Sequence, residues 1–169
     1  MFQGIHKYIR EEYILLDLDS YLEVPEEFED LAPSKKFEFK KQILKILIGQ
    51  FDKSGLIVNP SKCLTDMSNR EAKATTGMQD GIAIPHVRTL QAKDLILTVM
   101  RSDQGVYFDS LDKSPIHVFI GLICPPYNDK IYLKCLSALS EHIRAGELYE
   151  KLYYANSAKE ILSIFCRMK

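Results

Sequence analysis

Residues 76–86 read TGMQDGIAIPH, and the histidine that closes the run is the side chain best placed to do chemistry. Glycine at 77 and 81 admits positive φ, so residues 77–81 read as a loop or tight bend, and Ile82-Ala83-Ile84 as a short strand. Pro85 has no N–H and a fixed φ, so it is expected to end the ladder and present His86 at the strand's edge. An imidazole with one nitrogen neutral and exposed, and the other held by an acceptor, is a nucleophile toward phosphorus. Rigid mounting supplies the positioning on which in-line phosphoryl transfer depends, and nearby amides or a cation steady the phosphoryl oxygens. Taken alone, the segment is equally compatible with a strand-ending proline followed by an idle, exposed histidine.

Other chemistries find little support. The sequence has no G-x-x-x-x-G-K-[ST] loop, no G-x-G-x-x-G after a strand, no H-E-x-x-H and no G-x-S-x-G elbow, so nucleotide cofactors lose their usual signatures and no cofactor is expected. The histidines at 6, 86, 117 and 142 are scattered, and no metal site is expected from them. His117 sits inside an apolar run on the face of Phe119, as a hydrogen-bonded core residue, while His142, near a helix C-terminus, complements the helix dipole.

The elements that must position His86 alternate between helix and strand. Tyr13 to Leu18 reads as an early strand or extended segment, followed by the acidic stretch VPEEFEDLAPSKK as a surface loop. Phe39, Ile43, Ile46, Leu47 and Phe51 recur at helical spacing and predict an amphipathic helix over 38–53, closed by Gly55. Asn59-Pro60-Ser61 offers a cap for a second helix to about 72. LILTVMRS and GVYFD read as paired strands turning near Asp103-Gln104, and IHVFIGLIC (116–124) as a buried central strand ended by Pro125-Pro126. A helix near 129–143 carries Tyr132, Cys135, Leu136, Leu139 and Ile143 on one stripe, and shorter helices follow over 146–154 and 157–168.

With 169 residues, 46 % hydrophobic and 27 % charged, the chain is expected to form one domain, its first 37 residues less regular than the rest. A net charge of −1 and a pI near 6.4 argue against general nucleic-acid or anionic-membrane affinity. No apolar run is long enough to span a bilayer and no secretory leader is evident, so a cytoplasmic protein is expected. Cysteines 63, 124, 135 and 166 lack metal or disulfide spacing and read as buried, reduced thiols.

The stretch from Thr75 to His86 closely resembles the phosphorylation signature of enzyme IIA domains of the bacterial phosphoenolpyruvate-dependent phosphotransferase system, in the fructose/mannitol and nitrogen-regulatory group. Arg70 stands sixteen residues before the histidine as in that family, FDSLDKSPIHVFIGLICPP matches its turn and central strand, and the helix from 129 follows in order. The likeness covers roughly residues 10 to 168. It implies an α/β domain with a mixed central sheet flanked by helices on both faces. It also implies that His86 accepts a phosphoryl group from a histidine-containing phosphocarrier protein, with Arg70 pairing to its oxygens. Thr76 and the amides from Gly77 to Gly81 would line the pocket.

Departures from the family pattern matter as much. Asp80 replaces a frequent asparagine and adds negative charge near an anion site unless it points away. Tyr132 stands where relatives carry a second histidine, and a phenol supplies no cation at neutral pH. Val87-Arg88 follows the histidine in place of a small glycine, which adds a cation and leans toward the regulatory branch. Three functions follow from the resemblance: a nitrogen-type regulator switched by phosphorylation, a sugar-specific enzyme IIA passing phosphate to a IIB component, or an interaction module that has lost transfer. The absence of a fused IIB or membrane domain favours the first modestly.

Overall fold

The apolar run at 116–124 organises everything that positions His86. In the computed structural model, which describes residues 4–168, it is strand β4 (Ile116–Cys124), with every residue buried except the half-buried His117. Strand β1 (Ile82–Ala83) and strand β2 (His86–Arg88) run parallel to β4, while β3 (Ile96–Val106) pairs antiparallel with it, so the four-stranded sheet is mixed. A strand buried on both faces needs apolar residues at successive positions, which is why its sequence does not alternate.

Helices cover both faces. Val118, Ile120, Leu122 and Cys124 pack with Tyr132, Cys135 and Leu139 of α3 (Asp129–Arg144), Leu148 and Leu152 of α4 (Leu148–Tyr153), and Ile161 and Phe165 of α5 (Ala158–Arg167). Ile116, Phe119 and Ile123 pack on the other side with Ile43, Leu44, Leu47 and Phe51 of α1 (Pro33–Asp52) and Met67 of α2 (Pro60–Lys73). Gly121 lets α1 approach, since a Cβ there would lie 2.7 Å from Leu47 Cδ1 and 2.9 Å from Phe51 Cζ.

Several boundaries differ from the expectation. The first helix begins five residues early, because Pro33 at its first position is preorganised for a helix start whose polar first turn carries no apolar period. Residues 5–30 form four short 3₁₀ turns, and the piece expected as an early strand makes one bridge, Leu15 to Met100, along the outer edge of β3. The expected hairpin at 103–104 is absent: β3 runs through to Val106, with a bulge between Arg101 and Val106. The Asp19 carboxylate moulds that bulge by accepting from Asp103 N at 2.8 Å, Gln104 N at 3.1 Å and the Ser102 hydroxyl, a template too distant in sequence to read.

Pro85 does not end the ladder. Ile82 pairs with Val118, and four residues on, His86 pairs with Leu122, so the register is unchanged across the break. Because β3 occupies the other edge of β4, β1 and β2 are two halves of one line. Proline forfeits only a donor, and the Pro85 carbonyl still accepts from Leu122 N at 2.9 Å. His117 is also displaced from its expected face. His117 N and Val118 N both donate to the Gly81 carbonyl, a bulge that turns the imidazole toward Tyr149 and Tyr153, opposite the side where Phe119 packs. Its Nδ1 lies 3.0 Å from the Ser102 carbonyl. Cys63, Cys124 and Cys135 are buried, whereas Cys166 is exposed, against the expectation for all four.

Candidate functional site

Helix α2 is started by Asn59, whose Oδ1 accepts from Lys62 N at 3.0 Å, and by Pro60 in its first turn. Its last turn carries Arg70, whose Nη1 donates to the Ala74 carbonyl at 3.0 Å, which fixes the guanidinium plane. The other terminal nitrogen, Nη2, lies 3.1 Å from His86 Nε2. Opposite, His86 Nδ1 is 2.6 Å from the Ile84 carbonyl.

These two contacts assign the tautomer. A guanidinium only donates, so Nε2 accepts and holds its lone pair toward the cleft, and Nδ1 carries the proton and donates to Ile84. Burial pushes the His86 pKa below the ordinary imidazole range and the Arg70 charge adds to it, outweighing the Ile84 carbonyl and Glu71, which favour protonation. The result is a half-buried, neutral imidazole with its nucleophilic nitrogen beside a cation.

The strand's two-residue period places Arg88 on the same face as His86. The Arg88 guanidinium lies 5.7 Å from the Tyr132 ring centre, and that ring is 6.2 Å from the His86 ring, centre to centre. Arg88 Nη1 also meets Asp129 Oδ1 at 2.5 Å, at the start of α3. Tyr132 is buried, and burial above all pushes its phenol up to about 12, so it stays neutral. Arg70, Lys73, His86, Arg88, Tyr132 and Leu136 line one open cleft of ≈ 640 Å³.

Thr76, Gly77 and Gly81, expected in the pocket, lie outside it. Thr76 donates to Glu71 from both N (2.7 Å) and Oγ1 (2.6 Å) and is buried. Gly77 packs against the backbone of Phe108 and Ser110, where a Cβ would come within 2.9 Å of either. Gly81, at φ +79, spends its carbonyl on the β4 bulge at the opposite end of the strand line from His86. Asp80 is exposed in the preceding turn with its N–H on Asp112, and it is not among the cleft residues. The signature thus divides by role: its glycines and threonine shape the loop, and its histidine faces the cleft.

A buried group escaped the sequence reading. Lys40 Nζ is 2.7 Å from Glu71 Oε1 and 2.9 Å from Thr75 Oγ1, and sits 4.5 Å above the Phe108 ring. The signal was available: Lys40, Ile43, Leu44 and Leu47 fall at i, i+3, i+4 and i+7, which puts a lysine on the buried stripe. Among the described residues, no group of three or more His, Cys, Asp or Glu side chains is placed to hold a metal ion. No described helix is long and apolar enough to cross a membrane.

The model of the family described as phosphoenolpyruvate-dependent sugar phosphotransferase system, EIIA 2, matches residues 29–167. The chain belongs to this family of enzyme IIA proteins. A PTS system fructose-specific EIIABC component of Bacillus subtilis is 29 % identical over 74 % of the chain, which spans only 20 % of that longer protein. A nitrogen regulatory protein of Bradyrhizobium diazoefficiens is 26 % identical over 80 % of this enzyme IIA and 88 % of its own length. The crystal structure of nitrogen regulatory protein IIA-Ntr from Neisseria meningitidis shares the fold, with a TM-score of 0.76 and 23 % identity over 95 % of this chain and 98 % of that one. Enzyme IIA relatives of both the fructose and the nitrogen-regulatory kind are therefore similar to this chain.

Proposed function

We propose that this protein is a phosphoryl carrier that accepts a phosphoryl group on Nε2 of His86 from a histidine-containing phosphocarrier protein, and that it acts as a nitrogen-type regulator. The observation that carries the reading is the pair of contacts on His86: Arg70 at 3.1 Å on the nitrogen that keeps its lone pair, and the Ile84 carbonyl at 2.6 Å on the nitrogen that keeps its proton. The Nε2 lone pair forms the new N–P bond while the carrier's N–P bond breaks and its electron pair returns to the carrier's ring. As the ring gains positive charge, the proton stays on Nδ1 and keeps donating to the Ile84 carbonyl, whose dipole stabilises it. The Arg70 guanidinium then turns its donors from the consumed lone pair to the phosphoryl oxygens.

A phosphoryl group adds charge and strong acceptor oxygens at a surface cleft, which blocks or recruits a regulatory partner without a change of fold. Val87-Arg88, in place of a small glycine after the histidine, supports the regulatory reading. The B. subtilis fructose-specific relative supports the second one, a sugar-specific enzyme IIA that hands phosphate to a IIB component.

Incubation with phosphoenolpyruvate, enzyme I and the carrier protein is expected to leave an acid-labile, base-stable phosphate that His86→Ala abolishes. Transfer onward to a fructose- or mannitol-type IIB would establish the sugar-specific role; retention on His86 fits the regulator. A wild-type protein that never labels, with Tyr132 in place of a second imidazole, would be an interaction module that has lost transfer.

A further inference from the structure

We propose that Arg88 is a second phosphoryl-binding cation, held in reserve by Asp129 and released to the group on His86. This deepens the phosphoryl-carrier reading and rests on it. A phosphorylated imidazole brings nearly two negative charges into the cleft. Arg70 supplies one positive charge, and its Nη1 is already committed to the Ala74 carbonyl. The geometry points to Arg88 for the other.

Adjacent same-face positions on a strand are about 7 Å apart, so His86 and Arg88 stand side by side, both facing α3. The Tyr132 ring borders both, 6.2 Å from the imidazole and 5.7 Å from the guanidinium, so an arginine head that turns toward His86 keeps the ring beside it. Its present partner binds it weakly. The Arg88–Asp129 pair is a single contact between side chains that are 50 % and 54 % exposed, and such pairs exchange readily in water. Asp129 does not need the arginine either, because it opens α3, where the helix dipole favours a carboxylate. A phosphoryl group offers the guanidinium fork two oxygens in place of one. Lys73, also in the cleft, is an exposed point charge at the end of α2 and lacks both the shared strand face and the ring.

The test uses phosphoramidate, a small donor that needs no protein docking, alongside the carrier protein. Arg88→Gln is expected to slow His86 labelling by about tenfold with either donor. In the ³¹P spectrum, its phosphoryl group is expected to titrate at higher pH than that of wild type. Asp129→Asn is expected to speed labelling, and Arg88→Gln/Asp129→Asn to behave as Arg88→Gln alone. Wild-type labelling of Arg88→Gln by phosphoramidate, or slowing only with the carrier, overturns the proposal, the latter assigning Arg88 to donor docking. Equal slowing by Lys73→Gln overturns it too, since general positive potential would then suffice. Failure of the wild type to label with either donor is a different result: it removes the carrier reading itself and this proposal with it.

Discussion

Lys40 of α1 and Glu71 of α2 form an ion pair at 2.7 Å with side chains only 4 % and 1 % exposed, and through it the site is tied to the core. Glu71 accepts from both donors of Thr76, the Thr76 carbonyl accepts from Ile84 N at 2.9 Å, and the Ile84 carbonyl accepts from His86 Nδ1. Removing one charge strands the other in a dry site. Lys40→Met is therefore expected to destabilise the fold by about 3–5 kcal/mol, and Lys40→Met/Glu71→Gln to recover much of the loss. Urea unfolding of the two variants checks this; a double variant no better than the single one would show that Thr76, not the ion pair, is what Glu71 serves.

His86 makes stability depend on pH in a predictable direction. Its folded pKa lies below the usual imidazole range, chiefly through burial, whereas unfolding returns the ring to about 6.5. Between those two values the unfolded chain binds more proton, so stability rises with pH. The contribution is complete above about pH 6.5 and is lost as pH falls through the folded pKa. The slope of unfolding free energy in that window should flatten in His86→Gln. An NMR titration of His86 with a midpoint at or above the free-imidazole value would mean that the ring is not buried beside Arg70 as described.

Thiol chemistry gives an independent check of the packing. Burial pushes Cys63, Cys124 and Cys135 up to about 12, while Cys166 is exposed on α5. A thiol reagent at pH 8 should modify Cys166 in the native protein and reach the other three only in denaturant. Rapid native labelling of Cys135, which packs between α3 and β4, would show that α3 opens and carries Tyr132 with it.

What the sequence disclosed, and what it concealed, follows from the range of the interactions. Helix periods, the Asn59 cap, the apolar β4 run and the His86 motif are local patterns, and each appears close to its expected place. Contacts between residues far apart in the chain set the rest: Asp19 reshapes β3 at 102–104, and the Gly81 carbonyl creates the bulge that turns His117. Pro85 shows the limit of a propensity argument, because a missing donor costs nothing where the ladder uses only its carbonyl. At the site, the Arg70 to His86 spacing appears as a contact, whereas Thr76, Gly77 and Gly81, which the resemblance implies as pocket residues, serve the loop and the β4 bulge instead.

Position 132 offers the sharpest chemical test. Its ring faces His86 at 6.2 Å, but a buried phenol with a pKa near 12 brings no charge to an arriving phosphoryl group. Beside that group's negative charge, an imidazole on the same stem would take a proton from solvent and donate to an oxygen, a charge-assisted bond worth about 1.5–3 kcal/mol before packing losses. Tyr132→His is therefore expected to speed single-turnover phosphorylation of His86 by about tenfold, at some cost in thermal stability, because a smaller ring leaves a void beside Cys135 and Leu136. Tyr132→Phe keeps the volume and supplies the reference rate. Equal rates for the two variants would mean that the side chain at 132 does not reach the transferred group, which leaves its ring as a wall of the cleft.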